Sequence, residues 1–160
     1  MSSIVTFLDV IRHGEPEGGE VFRGRTDHRL TDNGRRQFQQ RLDRNPGNWQ
    51  RVVSSPLSRC SESAELVAGQ SDLPLHIDER WAEIDYGDWE NVPIKEIMSA
   101  EQTHVRQLWE DPMNFCAPGG EPVGKLQSRV LEGWQHVLEQ HAGQQILIVT
   151  HGGVMRVLAQ

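Results

Sequence analysis

Long apolar runs are missing from this chain. The longest, around Ile4–Ile11 and Ile146–Val149, fall far short of the roughly 20 residues that a bilayer-spanning helix needs. Cysteine is scarce too. Cys60 and Cys116 stand far apart with no CxxC between them, which reads as reduced thiols in a cytoplasmic protein rather than a disulfide framework. The N-terminal MSSIVTF has neither a basic region nor a cleavage site, so no secretory signal is visible. An excess of positive charge is absent as well. The formal net charge is -7, which would repel nucleic acid and anionic membranes at long range and leaves both out as partners. There is no HxH or HExxH spacing, which argues against a zinc site. Internal repeats, low-complexity tracts and linkers are lacking.

What is present suits one soluble domain. The 160 residues, 36% of them hydrophobic and 24% charged, are enough to bury roughly two-thirds of the unfolded surface. Ile4–Val10 reads as a short strand buried on both faces, interrupted by Asp9, which needs a polar partner. Thr31 is placed as the N-cap of a helix that ends at Asn45-Pro46-Gly47. Arg51–Ser55 and Leu73–Ile77 are predicted strands, separated by a helix over Leu57–Ala68. Asp78–Asn91 has no clean period and reads as irregular. Helices are expected over Pro93–Trp109 and Glu121–His141, then an apolar strand Gln145–Thr150 and a helix Val154–Ala159. Short apolar strands alternating with helices predict an α/β fold, a three-layer α/β/α sandwich around a mostly parallel sheet.

In such sheets ligands bind beyond the carboxyl ends of the strands. Here those ends are Arg12-His13-Gly14, then Ser54-Ser55-Pro56-Leu57-Ser58-Arg59, and Thr150-His151-Gly152-Gly153. Two histidines, two arginines and the free N–H groups of the helices from Leu57 and Val154 would make a local cationic pocket for a compact dianion. Each residue alone has a blander reading: His13 as a hydrogen-bonding residue, Arg59 as a solvated helix position, His151 as part of a turn. The other histidines (His28, His76, His104, His136, His141) lie in polar contexts and read as structural. In the acidic loop Glu79–Glu90, Trp81, Tyr86 and Trp89 suggest partial burial, which raises a carboxyl pKa as a general acid requires.

The order RHGE, LTDNG, SSPLSRC, ERWAEIDYGDWE, PGGEP and VTHGGVMR, spread over nearly the whole chain, resembles the histidine phosphatase superfamily, whose fold is phosphoglycerate mutase-like. RHG and the distal HGG are the defining pair. Within the superfamily, EIDYGDWE, DPMNFCAPGGEPV and VTHGGVMRVL look most like the alpha-ribazole phosphatases of cobalamin nucleotide-loop assembly.

The resemblance implies a phosphomonoesterase with no metal and no cofactor, acting on a small phosphate monoester. It makes His13 the nucleophile and Glu83 the proton donor, with Glu79 and Asp85 as weaker candidates. Arg12, Arg59, His151 and Gly152 would surround the phosphoryl group. The family's Asn after RHGE is replaced here by Pro16-Glu17-Gly18-Gly19, and Arg25 or the backbone near Gly24 is expected to compensate. A mutase, a protein-phosphohistidine phosphatase and a phosphate-binding module without turnover are the alternatives. The compact length speaks against a mutase. The chain stops at Gln160 within an apolar helical run, so a single domain over 1–160 is expected to lack its C-terminal end. Oligomeric state has no sequence signal.

Overall fold

A computed structural model describes residues 3–160. Its sheet has four parallel strands: β1 (Phe7–Arg12), β2 (Arg51–Ser54), β3 (Leu75–Ile77) and β4 (Gln145–Thr150), in spatial order β1-β4-β2-β3. The central strand β4 is the most apolar, as a strand covered on both faces must be. Its side chains alternate between two cores. Leu147 and Val149 face α1 (Asp32–Arg44) and α2 (Ser58–Ser71), packing with Phe38, Val52, Cys60 and Ala64. Ile146 and Ile148 face α5 (Val123–Gln140) and α6 (Gly152–Leu158), packing with Trp81, Leu126, Val130 and Val154. The expected three-layer α/β/α arrangement is what forms.

β1 departs from expectation. It begins at Phe7 rather than Ile4 and is an edge strand, not one buried on both faces. Leu8 and Val10 pack on the α5–α6 side, but Phe7 is 60% exposed and Asp9 is also exposed. The physical reason is that only β4 pairs with it among the described residues. Asp9 does find the polar partners it needed, accepting from Trp49 Nε1 at 2.7 Å and Gln145 Nε2 at 3.1 Å.

Other boundaries follow local chemistry. Thr31 caps α1, its hydroxyl accepting from the Gly34 N–H at 2.9 Å. The helix predicted over 93–109 is two, α3 (Ile94–Ala100) and α4 (Gln102–Glu110). They break at Glu101, whose backbone leaves the helical region while its carboxylate accepts from the Trp89 indole N–H. The acidic loop is irregular as expected, with short 3-10 turns at Glu79–Trp81 and Gly87–Trp89, and both tryptophans are fully buried. Gly152 and Gly153 belong to the first turn of α6, which starts two residues earlier than predicted. Among the described residues no helix is long and apolar enough to cross a membrane.

Candidate active site

Parallel register assembles the site. Arg12 at the end of β1 pairs with Thr150 at the end of β4, so the next residue of each strand, His13 and His151, emerges beside the other. Their ring centroids are 5.2 Å apart at an interplanar angle of 64°. The His13 N–H donates to the Thr150 carbonyl at 3.3 Å. Gly14 then lets the chain turn against α1, where a Cβ would overlap the Gly34 carbonyl oxygen.

His13 Nδ1 lies 2.7 Å from the Gly14 carbonyl oxygen. A carbonyl can only accept, so Nδ1 carries the proton and Nε2 keeps its lone pair. Burial lowers the His13 pKa to about 3, helped by the charges of Arg59, Arg12 and Arg23 and opposed by the Gly14 carbonyl. The imidazole is therefore neutral at physiological pH. His151 is fully buried, and burial together with Arg59 holds its pKa well below the usual value. Its Nε2 is 2.7 Å from the Ser55 hydroxyl, which also accepts the Leu57 N–H at 3.2 Å. Cys60 Sγ lies 3.5 Å from the same nitrogen, and its S–H donates a hydrogen bond to the Thr150 carbonyl at 3.4 Å. Burial pushes the thiol pKa up, so Cys60 stays a neutral packing group.

Arg59 is only 1% exposed. It donates to the Thr26 carbonyl at 2.8 Å and the Gly24 carbonyl at 2.7 Å, while its buried Nε has no partner among the described residues. Arg12 is exposed and its guanidinium lies over Gly152, 3.3 Å from where a Cβ would stand.

Among the acidic candidates the structure separates Glu83. Glu79 is exposed, and Asp85 accepts from the Gly87 N–H within its own turn. Glu83 is buried, accepting from the Ile84 N–H at 2.9 Å and the Gly153 N–H at 3.1 Å. Burial raises its pKa against the lowering effect of those bonds and of Arg59 and Arg12.

Two expected residues are engaged with the protein itself. Arg25 is exposed, donating to the Glu83 carbonyl at 2.9 Å and lying 3.8 Å from Glu79. The Gly24 N–H donates to Glu90 and its carbonyl accepts from Arg59. At the helix N-termini one backbone N–H each is used: Asp27 accepts the Ser58 N–H and hydroxyl at the start of α2 (2.7 and 2.6 Å), and Glu83 takes the Gly153 N–H at the start of α6.

The sequence reading passed over the residues that brace this arrangement. Glu90 accepts from the N–H groups of Gly24, Arg25, Thr26 and Tyr86 and from the Thr26 hydroxyl. It ties the loop that grips Arg59 to the loop that bears Glu83. Arg129 of α5 donates to the carbonyls of Arg80, Ala82 and Glu83 at 2.7 to 3.1 Å and pairs with Glu121. Nothing local marked it, since it stands 46 residues from Glu83 on an ordinary amphipathic helix. Gly153 was visible in the HGG motif, but its role was not.

A Cβ at Gly153 would overlap Glu83 Oε1. Gly153→Ala is therefore expected to displace the carboxyl and to lower kcat by about 10- to 100-fold, a fraction of the 10²- to 10⁴-fold typical of a general acid. The melting temperature should change by only a few degrees, and a variant with wild-type kcat would disprove this seating.

Among the described residues no three His, Cys, Asp or Glu side chains cluster as ligands for a metal ion. The site instead offers an open imidazole nitrogen, a second buried imidazole, two guanidiniums and a buried acid.

Residues 8–160 match the family described as the histidine phosphatase superfamily (branch 1). Phosphoserine phosphatase 1 of Hydrogenobacter thermophilus is 29% identical over 156 residues, covering 94% of this chain and 73% of that protein. The structure of Bacillus stearothermophilus YhfR superposes with a TM-score of 0.87 at 32% identity, covering 97% of this chain and 78% of that one. The alpha-ribazole phosphatase of Shigella flexneri superposes with a TM-score of 0.80 at 30% identity, covering 95% and 77%.

Proposed function

The chain belongs to the histidine phosphatase superfamily (branch 1), and on that footing we propose that it hydrolyses small phosphate monoesters through a phosphohistidine on His13. The observation that carries this reading is the tethering of His13 Nδ1 to the Gly14 carbonyl, which leaves Nε2 as a neutral nucleophile. In the first step Nε2 forms a bond to phosphorus while the bond to the leaving oxygen breaks, and the Glu83 carboxyl gives that oxygen its proton. In the second, water attacks the phosphohistidine, the Glu83 carboxylate takes the proton from water, and the P–N bond breaks to release phosphate. Arg12 and Arg59 neutralise the phosphoryl oxygens in both steps, with His151 beside them as an uncharged imidazole, and this is most of what phosphoryl transfer asks of a protein.

The substrate we propose is alpha-ribazole 5′-phosphate, with adenosylcobalamin 5′-phosphate as its close chemical relative. Support comes from the EIDYGDWE and PGGEP stretches and from the likeness to the Shigella flexneri enzyme. The test is a panel of alpha-ribazole 5′-phosphate, phosphoserine, 3-phosphoglycerate, fructose 2,6-bisphosphate and a phosphohistidine protein. We expect free phosphate from the first with a kcat/KM at least about tenfold above the others, a modest preference by the standards of pocket discrimination. A higher value for any other substrate overturns the substrate proposal. An isomerised product in place of free phosphate overturns hydrolysis itself.

A further inference from the structure

A neutral imidazole carries one N–H, and the nitrogen that holds it decides whether the ring donates or accepts at a ligand. At His151 the deciding neighbour is Ser55. Ser54 pairs with Val149 in the register of β2 and β4, and the Ser55 N–H donates to the Val149 carbonyl at 3.0 Å. The Ser55 side chain therefore lies beside the residues that follow Val149. Ser55 and His151 are both 0% exposed, with His151 Nε2 2.7 Å from Ser55 Oγ. His151 is the N-cap residue of α6, yet its side chain makes no capping bond, so the ring is not held there as part of a turn.

The hydrogen-bond count fixes the direction of the Ser55–His151 bond. Ser55 Oγ accepts the Leu57 N–H at 3.2 Å across Pro56, a local bond that serine favours in turns. Its one proton then has a single acceptor among the described residues, His151 Nε2. Were Nε2 protonated, the hydroxyl would accept twice and leave its own proton unbonded in a fully buried site, which folded proteins rarely tolerate. Nothing nearby favours a doubly protonated ring. No carboxylate lies within 4.0 Å of His151 among the described residues, and burial together with Arg59 favours the neutral form. Cys60 agrees with this arrangement. Its S–H donates to the Thr150 carbonyl at 3.4 Å, and its sulfur, a weak acceptor 3.8 Å away, is the only side-chain partner of Nδ1 among the described residues.

We propose that Ser55 is a positioning residue that holds His151 in the Nδ1–H tautomer, so that His151 presents an N–H to the phosphoryl group. With Nε2 bonded to Ser55, Nδ1 is the nitrogen left for a ligand. The two histidines then share one tautomer and offer opposite things. His13 is tied at Nδ1 and offers the Nε2 lone pair, whereas His151 is tied at Nε2 and offers the Nδ1 proton. The other tautomer of His151 would turn a lone pair toward phosphoryl oxygens and repel them. A donor fixed before the substrate arrives costs no reorganisation during the reaction. The role of His151 at the phosphoryl group rests on the phosphatase reading; its tautomer does not.

The experiment is two-bond ¹H–¹⁵N correlation on protein labelled with ¹⁵N-histidine, which shows which ring nitrogen is protonated, with His151 assigned by its loss in His151→Gln. Wild type should show His151 protonated at Nδ1 alone, and inorganic phosphate should shift that N–H. Ser55→Ala should let Nε2 take the proton in a measurable share of molecules. It should also lower kcat on an alkyl phosphate by about tenfold, less than the 10²- to 10³-fold cost of losing an oxyanion donor outright. Ser55→Thr, which keeps the hydroxyl, should keep the tautomer and most of kcat, and Cys60→Ala should leave the tautomer unchanged. A wild-type ring protonated at Nε2 overturns the proposal without any variant having to fold. So does a Ser55→Ala protein that keeps the Nδ1–H tautomer, one that changes tautomer yet keeps wild-type kcat, or a phosphate titration that leaves the His151 N–H unmoved. If wild type turns nothing over while its Nδ1–H is present and shifts with phosphate, the tautomer assignment stands and only the hydrolase reading falls.

Discussion

His13→Ala is expected to lower phosphate release by on the order of 10⁴-fold or more, the scale seen when a covalent nucleophile is removed. The residue is placed for this and little else. Its backbone N–H bonds the Thr150 carbonyl, which alanine preserves, and its ring packs edge-on to His151. The fold should therefore survive the change, which melting would verify. Rapid quench of wild type mixed with a ³²P-monoester into alkaline detergent should trap label that survives alkali and is then released by acid. The variant should trap none. A variant that keeps a tenth or more of the activity would rule out His13 as the nucleophile.

Glu83→Gln is expected to cost about 10²- to 10⁴-fold in kcat on an alkyl phosphate. The loss should be much smaller on p-nitrophenyl phosphate, whose leaving group departs without a proton. The pH dependence supplies the sign. The reactive form needs His13 neutral and Glu83 protonated. His13, held down to about 3 by burial, is neutral above that pH. Glu83, pushed up by burial, keeps its proton to a higher pH than an ordinary glutamate. The kcat should thus rise through about pH 3, reach a plateau and fall as Glu83 ionises. In Glu83→Gln the alkaline fall should disappear. The second ionisation of the substrate, near pH 6 for a phosphate monoester, remains in both profiles, so their difference isolates Glu83. An unchanged alkaline limb in the variant would assign the acid elsewhere.

Features set by a short stretch of chain were the legible ones. β4 was readable to the residue because six consecutive residues, QILIVT, suit a strand covered on both faces. Thr31 announced α1 through a capping bond made within one turn. The pairing of His13 with His151 followed from two strand ends meeting in a parallel sheet, a rule of topology needing no side-chain detail. What stayed hidden depends on residues far apart. The break at Glu101 arises from a contact with Trp89 twelve positions earlier. Arg25 was expected to help hold the phosphate, and only the folded course of its loop shows it donating to the Glu83 carbonyl and lying beside Glu79. At the helix N-termini, Asp27 and Glu83 each take one N–H, and neither was foreseen because both come from other segments.

Arg129 has a consequence for the entropy of the Glu83 segment. By holding the carbonyls of Arg80, Ala82 and Glu83 from α5, it anchors the segment that bears Glu83, while the N–H groups of Ile84 and Gly153 hold the carboxyl itself. The orientation of this side chain is settled when the chain folds, so the entropy of ordering it is lost in folding and need not be lost again when a ligand binds.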